Sequence, residues 1–217
     1  MILNDNMDVW GEFLIRSYKA DGSIEEYAEK NLIMDKARSN MAELVSGWSS
    51  GVPMTRFLIG TKGHNPDTNN VLEAIQVGAN NFVSTRTNIF SQEEGSFYYT
   101  LSWDPTNPVD SDFTTPISWT GGGVLTSYAK GNKYSQTGVE VGAENTACPL
   151  QIEVLDRTIK YTFTVPEIAA NGDDGQSVIA FTEAALMSGD DIFSMKTFPA
   201  RVKENTVKFE IVWSIIF

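Results

Sequence analysis

Cysteine and histidine are almost missing from these 217 residues, with Cys148 and His64 the single representatives. One cysteine forms no internal disulfide, and one histidine builds no multi-histidine centre. Zinc ribbons, zinc fingers and the zinc hydrolase motifs are therefore excluded by counting. Basic residues are also scarce, 16 against 28 acidic, for a formal charge of −12. The deficit runs throughout: −2 over residues 1–65, −6 over 66–150 and −4 over 151–217. Without a Lys/Arg cluster there is no electrostatic footprint for nucleic acid, and an anionic membrane surface is disfavoured. No apolar run approaches bilayer-spanning length. Residues Met1 to Asn6 lack the basic and apolar regions of a signal peptide. The expectation is a chain made in a cytosol, kept soluble by its charge and free of covalent staples.

What is present points to strands. Hydrophobic residues make up 41% of the chain, enough for a sizeable core, so disorder is excluded as the main state. Threonine (19) outnumbers leucine (11), and there are 24 aromatics. β-Branched and aromatic side chains suit a pleated, half-buried surface. The length fits one large domain or two small ones.

Local patterns give the order of elements. Val9 to Lys19 alternates, Ala20-Asp21-Gly22-Ser23 makes a tight turn, and Ile24 to Glu29 returns as a more polar strand. From Asn31 to Gly47 the period changes. Met34, Ala37, Met41, Leu44, Val45 and Trp48 recur at three- and four-residue steps, predicting a helix whose stripe faces the core. Asp35 is placed to cap it, and Gly47 suits the left-handed position after its last turn. Thr55 to Gly60 is a short apolar strand, followed by a polar loop over 61–70. Phe82 to Phe90 and Ser96 to Trp103 come next, the second placing Phe97, Tyr99, Leu101 and Trp103 on one face. Residues 104–150 differ in character: Gly121-Gly122-Gly123 lies inside, and the basic residues are Lys130 and Lys133. This stretch reads as a long insertion carrying short strands, or as a surface arm, within a single domain covering 1–217. A structureless loop of that length would be unusual.

The last third is the clearest. Ile159, Tyr161, Phe163 and Val165 alternate with Thr158, Lys160, Thr162 and Thr164. Ser177 to Met187 is a mostly apolar run, and Ile192 to Phe198 leads to Pro199. Val207, Phe209, Ile211, Trp213, Ile215 and Phe217 fall at every second position, which requires a buried sheet face. The expected fold is mainly β: an antiparallel β-sandwich carrying one amphipathic helix in its N-terminal third.

Catalytic chemistry finds little support. Nucleophile–base catalysis needs a base within reach, and His64 sits in a Gly-Pro-Asn loop, where a solvated histidine is expected. Cys148 precedes Pro149 and reads as a small buried residue. Glu183 is embedded in an apolar run, so it must be hydrogen-bonded or protonated; bonding to nearby backbone N–H groups is the simpler reading. Asn171-Gly172-Asp173-Asp174-Gly175 is the wrong register for a calcium loop and reads as a turn. Asp104, Asn107, Asp110 and Asp112 are read in the same way. No phosphate loop or dinucleotide fingerprint occurs. No catalytic residue, cofactor or metal is expected.

Two stretches resemble small β-rich structural proteins of tailed bacteriophage virions. One is Asn31-Leu32-Ile33-Met34-Asp35-Lys36-Ala37-Arg38 with the later Phe57-Leu58-Ile59-Gly60-Thr61. The other comprises Phe181-Thr182-Glu183-Ala184-Ala185-Leu186-Met187, Phe193 to Ala200, and Lys208 to Ile215. The resemblance implies a non-enzymatic subunit, a homo-oligomer in a tail, baseplate or neck (collar). Its partners would be copies of itself and other virion proteins, with assembly in the host cytoplasm. Two other roles stay open: a receptor- or glycan-binding module of a tail fibre, and a capsid decoration protein. In either an interface or a ligand-stacking role, the candidate residues are Trp103, Phe113, Trp119, Tyr128 and Tyr134.

Overall fold

The structure is a computed structural model. It describes residues 9–47, 51–64, 85–93, 96, 98–103, 124–134, 140–171 and 178–217, with 124–134 and 140–147 described at the backbone alone. Alternation along the chain sets the inside–outside pattern. In β1 (Trp10–Tyr18), Gly11, Phe13, Ile15 and Ser17 are buried, while the residues between them are half-buried or exposed. The turn to β2 (Ile24–Ile33) forms as its residues dictate. Gly22 takes a φ of 83°, and the Asp21 carboxylate accepts from the Ser23 backbone N–H at 2.8 Å and its hydroxyl at 2.6 Å. Those two bonds hold Asp21 below the usual carboxylate range.

Helix α1 (Asp35–Ser46) begins after Met34, which occupies the N-cap position, so Asp35 lies in the first turn instead of capping it. Gly47 closes the helix at φ 72°, as its sequence position predicts. The core-facing stripe holds for half its length. Ala37 is buried and Met41 packs on the core, but Leu44 is exposed and Val45 is 90% exposed. Trp48 lies outside the described residues.

β3 (Met54–Gly60), the single-turn α2 (Phe90–Glu93), β4 (Tyr98–Ser102), β5 (Val124–Tyr134), β6 (Glu140–Leu155), β7 (Thr158–Val165), β8 (Ile179–Ser188), β9 (Asp191–Lys203) and β10 (Lys208–Ile216) complete the described elements. The ten strands join in the order β1-β10-β7-β6-β5-β4-β3-β8-β9-β2, each pair antiparallel, and the ring closes on itself. The mainly antiparallel β class expected from sequence is therefore present. Its layers are opposite walls of one continuous sheet rather than two separate sheets. The 104–150 stretch also differs from a surface arm, since β5 and β6 are integral staves between β4 and β7. Residues 104–123 and 135–139 lie outside the described set.

Large side chains fill the barrel. Phe209, Ile211, Trp213 and Ile215 of β10 are fully buried between β1 and β7. Phe13 packs face to face on Phe198 at 5.1 Å and edge-on against Trp213 at 5.0 Å; Phe57 stacks on Phe163 at 4.6 Å. Each such burial stabilises by roughly 1.5–3 kcal/mol. A second cluster, which includes Leu58, Ala185, Met187 and Met195, lies beneath Ile89 and Phe90. β8 is thus buried on both faces, which explains why its sequence is a continuous apolar run.

The closing seam is short. Ile33 lies opposite Ser194 and Leu32 opposite Met195, and there the β2–β9 ladder ends. Continued, that register would bring Pro199 opposite Ala28, and proline has no N–H to donate. β9 also bulges against β8: Phe181 faces Arg201, while Glu183 faces Thr197. A bulge bends its strand, here near the proline. Side chains bridge the rest of the seam, with Lys196 bonded to Glu29 and Tyr27 tilted against Phe198 at 6.3 Å.

Candidate functional site

Three features could have carried chemistry: the buried glutamate, a polar cleft lined by Lys36, Glu43 and Asp191, in which Lys36 and Asp191 pair with each other, and the apolar cleft beside the helix. Glu183, fully buried on β8, sits under the N-terminal end of α2. Its Oε1 accepts from the Ser91 backbone N–H at 2.7 Å, the Ser91 hydroxyl at 2.6 Å and the Lys62 N–H at 3.4 Å. Oε2 accepts from the Phe90 N–H at 2.8 Å. Burial pushes its pKa above the ordinary carboxylate value, and these bonds pull the other way. Glycines make the approach possible. A Cβ on Gly60 would lie 2.5 Å from the Glu183 carboxylate, and one on Gly63 would lie 2.4 Å from the Thr182 carbonyl. The two legs of the excursion between β3 and β4 are thereby fixed to β8. This is the backbone-bonded glutamate that the sequence suggests, and its acceptor capacity is engaged by the protein itself.

The apolar cleft lies between α1 and the rim of the barrel and has a volume of about 290 Å³. Met41, Leu44 and Val45 of the helix form one wall; Trp103, Ile159 and Phe217 contribute to the others. Asn40 is the polar side chain at its edge, and its amide is already occupied. It donates to the Val52 carbonyl at 2.7 Å and to the Ser188 hydroxyl at 2.8 Å, while its oxygen accepts from the Val52 N–H at 2.8 Å. The described walls therefore offer mainly apolar contact, with no side-chain carboxylate, amine, imidazole or thiol among them. Tyr161, deeper in, has its phenol pKa pushed up by burial.

The sequence candidates are distributed as follows. Trp103 is 8% exposed and packs against Phe163 at 5.6 Å and Tyr161 at 6.0 Å, so it belongs to the core and also contributes to the wall of the apolar cleft. The alternation of Tyr99, Leu101 and Trp103 was the signal for that, since all three belong to the main core. Phe113 and Trp119 lie outside the described residues. Tyr128 and Tyr134 lie on β5, opposite Pro149 and Glu140 of β6, with side chains outside the description. Cys148 is buried, as expected. His64 is half-buried, and its Nδ1 has no partner among the described residues. Among those residues no cluster of three or more potential metal ligands occurs. Sequence reasoning missed Lys203, which is fully buried and donates to the Glu167 carbonyl, the Asn171 Oδ1 and the Glu204 carbonyl at 3.0–3.1 Å.

Comparison of the chain with protein-family models, curated proteins and solved structures gives no match in any of the three.

Proposed function

We propose that this chain is a non-enzymatic structural subunit that assembles with copies of itself, in the manner of the tailed-phage virion proteins its sequence resembles. A tail, baseplate or neck position is the reading we adopt. The observation that carries it is the filled interior of the barrel. Stacked aromatics occupy the centre, and the buried Glu183 is bonded to backbone and Ser91 donors instead of facing a cleft. A closed barrel with few free edges is a stiff unit for repetition about a symmetry axis. Asn40, a polar side chain at the apolar cleft, is engaged by Val52 and Ser188 and so is not free to orient sugar hydroxyls.

The test is the mass of the purified full chain by light scattering, followed by immunogold labelling of particles made by cells that express it. A stable homo-oligomer and labelling at one end of a tailed particle are expected. A concentration-independent monomer absent from every particle overturns the proposal.

A further inference from the structure

Ladder alternation fixes which backbone groups of β2 face the seam. The Met34 N–H donates to the Phe193 carbonyl at 3.0 Å. In an antiparallel ladder, the residues an even number of places back turn their N–H and C=O the same way: Leu32, Lys30, Ala28, Glu26 and Ile24. Two further bonds agree with this assignment. The Leu32 carbonyl accepts from the Ser194 hydroxyl at 2.9 Å, and the Glu26 carbonyl accepts from Arg201 at 3.5 Å. Since the β2–β9 ladder ends at Leu32, the seam-facing groups of Ile24, Ala28 and Lys30 have no ladder partner among the described residues, and all three residues are exposed.

We propose that this edge joins copies of the chain, β2 pairing antiparallel with β2 of a second copy about a two-fold axis at Ala28. The inference rests on the homo-oligomer proposed above and gives it a surface. Charge selects the register. Seam-facing residues must meet seam-facing residues, so the axis can lie on Glu26, on Ala28 or between such positions. An axis on Glu26 or Lys30 sets that residue against its own copy, and an axis at Tyr27 or Glu29 sets Glu25 against Glu29 or Glu29 against itself. The axis on Ala28 sets Glu26 opposite Lys30 of the second copy, and this pair occurs twice. Both side chains stand beside β1: Glu26 is bonded to Arg16 at 2.7 Å, and the Lys30 ammonium lies 5.2 Å from the Trp10 ring centre. Pairing displaces the β9 side chains that bridge the seam, the Arg201 bond to the Glu26 carbonyl and the Lys196 bond to Glu29, and a backbone N–H of the second copy takes the place of Arg201.

The test is light scattering of the full chain across a concentration series, on the wild type, Ala28→Pro, Glu26→Lys, Lys30→Glu and the double reversal. Near-ultraviolet circular dichroism of the buried tryptophans checks that each barrel stays folded. Ala28→Pro removes one seam-facing N–H and no bond to β1. It is expected to weaken association on the order of tenfold, as is each single reversal, which puts like charges opposite each other twice. The double reversal restores the opposite-charge pairs and is expected to return association to the wild-type level. A wild type that associates while the variants behave identically overturns this inference alone, as does a double reversal that fails to recover. A wild type that is monomeric throughout overturns the homo-oligomer as well.

Discussion

Trp213 donates its indole N–H to the Ser194 hydroxyl at 3.2 Å, deep inside the barrel. Ser194 in turn donates to the Leu32 carbonyl at 2.9 Å, at the point where the ring closes. The Asn31 side-chain amide lies beside the same indole. The central stave β10 is thus tied across the interior to the seam, although β10 and β9 are not neighbours in the sheet.

Ser194→Ala removes two buried hydrogen bonds, one from the indole N–H and one to the Leu32 carbonyl. Its expected cost is about 1–3 kcal/mol in urea unfolding, from about 0.5–1.5 kcal/mol per bond. Combining it with Trp213→Phe gives a double-mutant cycle in which the two changes couple by at least about 0.5 kcal/mol. Strict additivity contradicts the bond.

Glu183→Ala orphans the Phe90 and Ser91 N–H groups at once, and at about 1–3 kcal/mol per buried donor the expected loss is about 3 kcal/mol or more. The pH dependence follows from burial. With its pKa raised in the folded chain, Glu183 keeps a proton there at a pH where the unfolded chain has released it. Stability present near the ordinary value of 4.5 therefore falls as pH rises toward the folded value, by at most about 1.4 kcal/mol per unit. Glu183→Gln cannot titrate, so its denaturation midpoints follow a flatter profile in that window. Identical slopes for the two proteins contradict this account.

Gly63→Ala places a methyl group 2.4 Å from the Thr182 carbonyl, a backbone atom that cannot swing aside. The expected loss is about 1–3 kcal/mol by thermal unfolding. Gly60→Ala meets the Glu183 and Ser91 side chains and is expected to cost a similar amount. Unchanged melting of both variants contradicts the close approach.

Val45→Lys is expected to change stability by no more than about 0.5 kcal/mol, because the residue is 90% exposed. Ala37→Lys, two turns earlier and buried, is expected to prevent native packing. Equal effects of the two substitutions, read by denaturant titration, contradict the placement of the helix.

That contrast shows what could be read from the sequence. Periodicity reported the helix and its face, because Met34 to Val45 repeats at helical spacing. It did not report how far along that face the barrel extends, which depends on strands distant in the chain. The β10 alternation was legible for the opposite reason: both neighbours bury the same face, so the pattern is complete. Closure into one ring was hidden because it depends on the pairing of Leu32 and Ile33 with β9, a contact without a local signature. Strands were one of two readings of 104–150, but the place of β5 and β6 as staves of the ring was not legible. Their polar composition masks strands that pair with β4 and β7 along the backbone. Glu183 was legible as a buried acid within an apolar run, but its donors come from Lys62, Phe90 and Ser91, which no spacing connects to it.

Native-state hydrogen exchange followed residue by residue tests the closed, filled barrel most directly. Amides of Phe209 to Ile215 are expected among the slowest in the chain, opening only with global unfolding, while the Ala28 and Lys30 amides of the monomer exchange rapidly at the open seam. Exchange of the β10 amides within seconds, at the rate of the seam edge, would contradict the architecture and the structural role built on it.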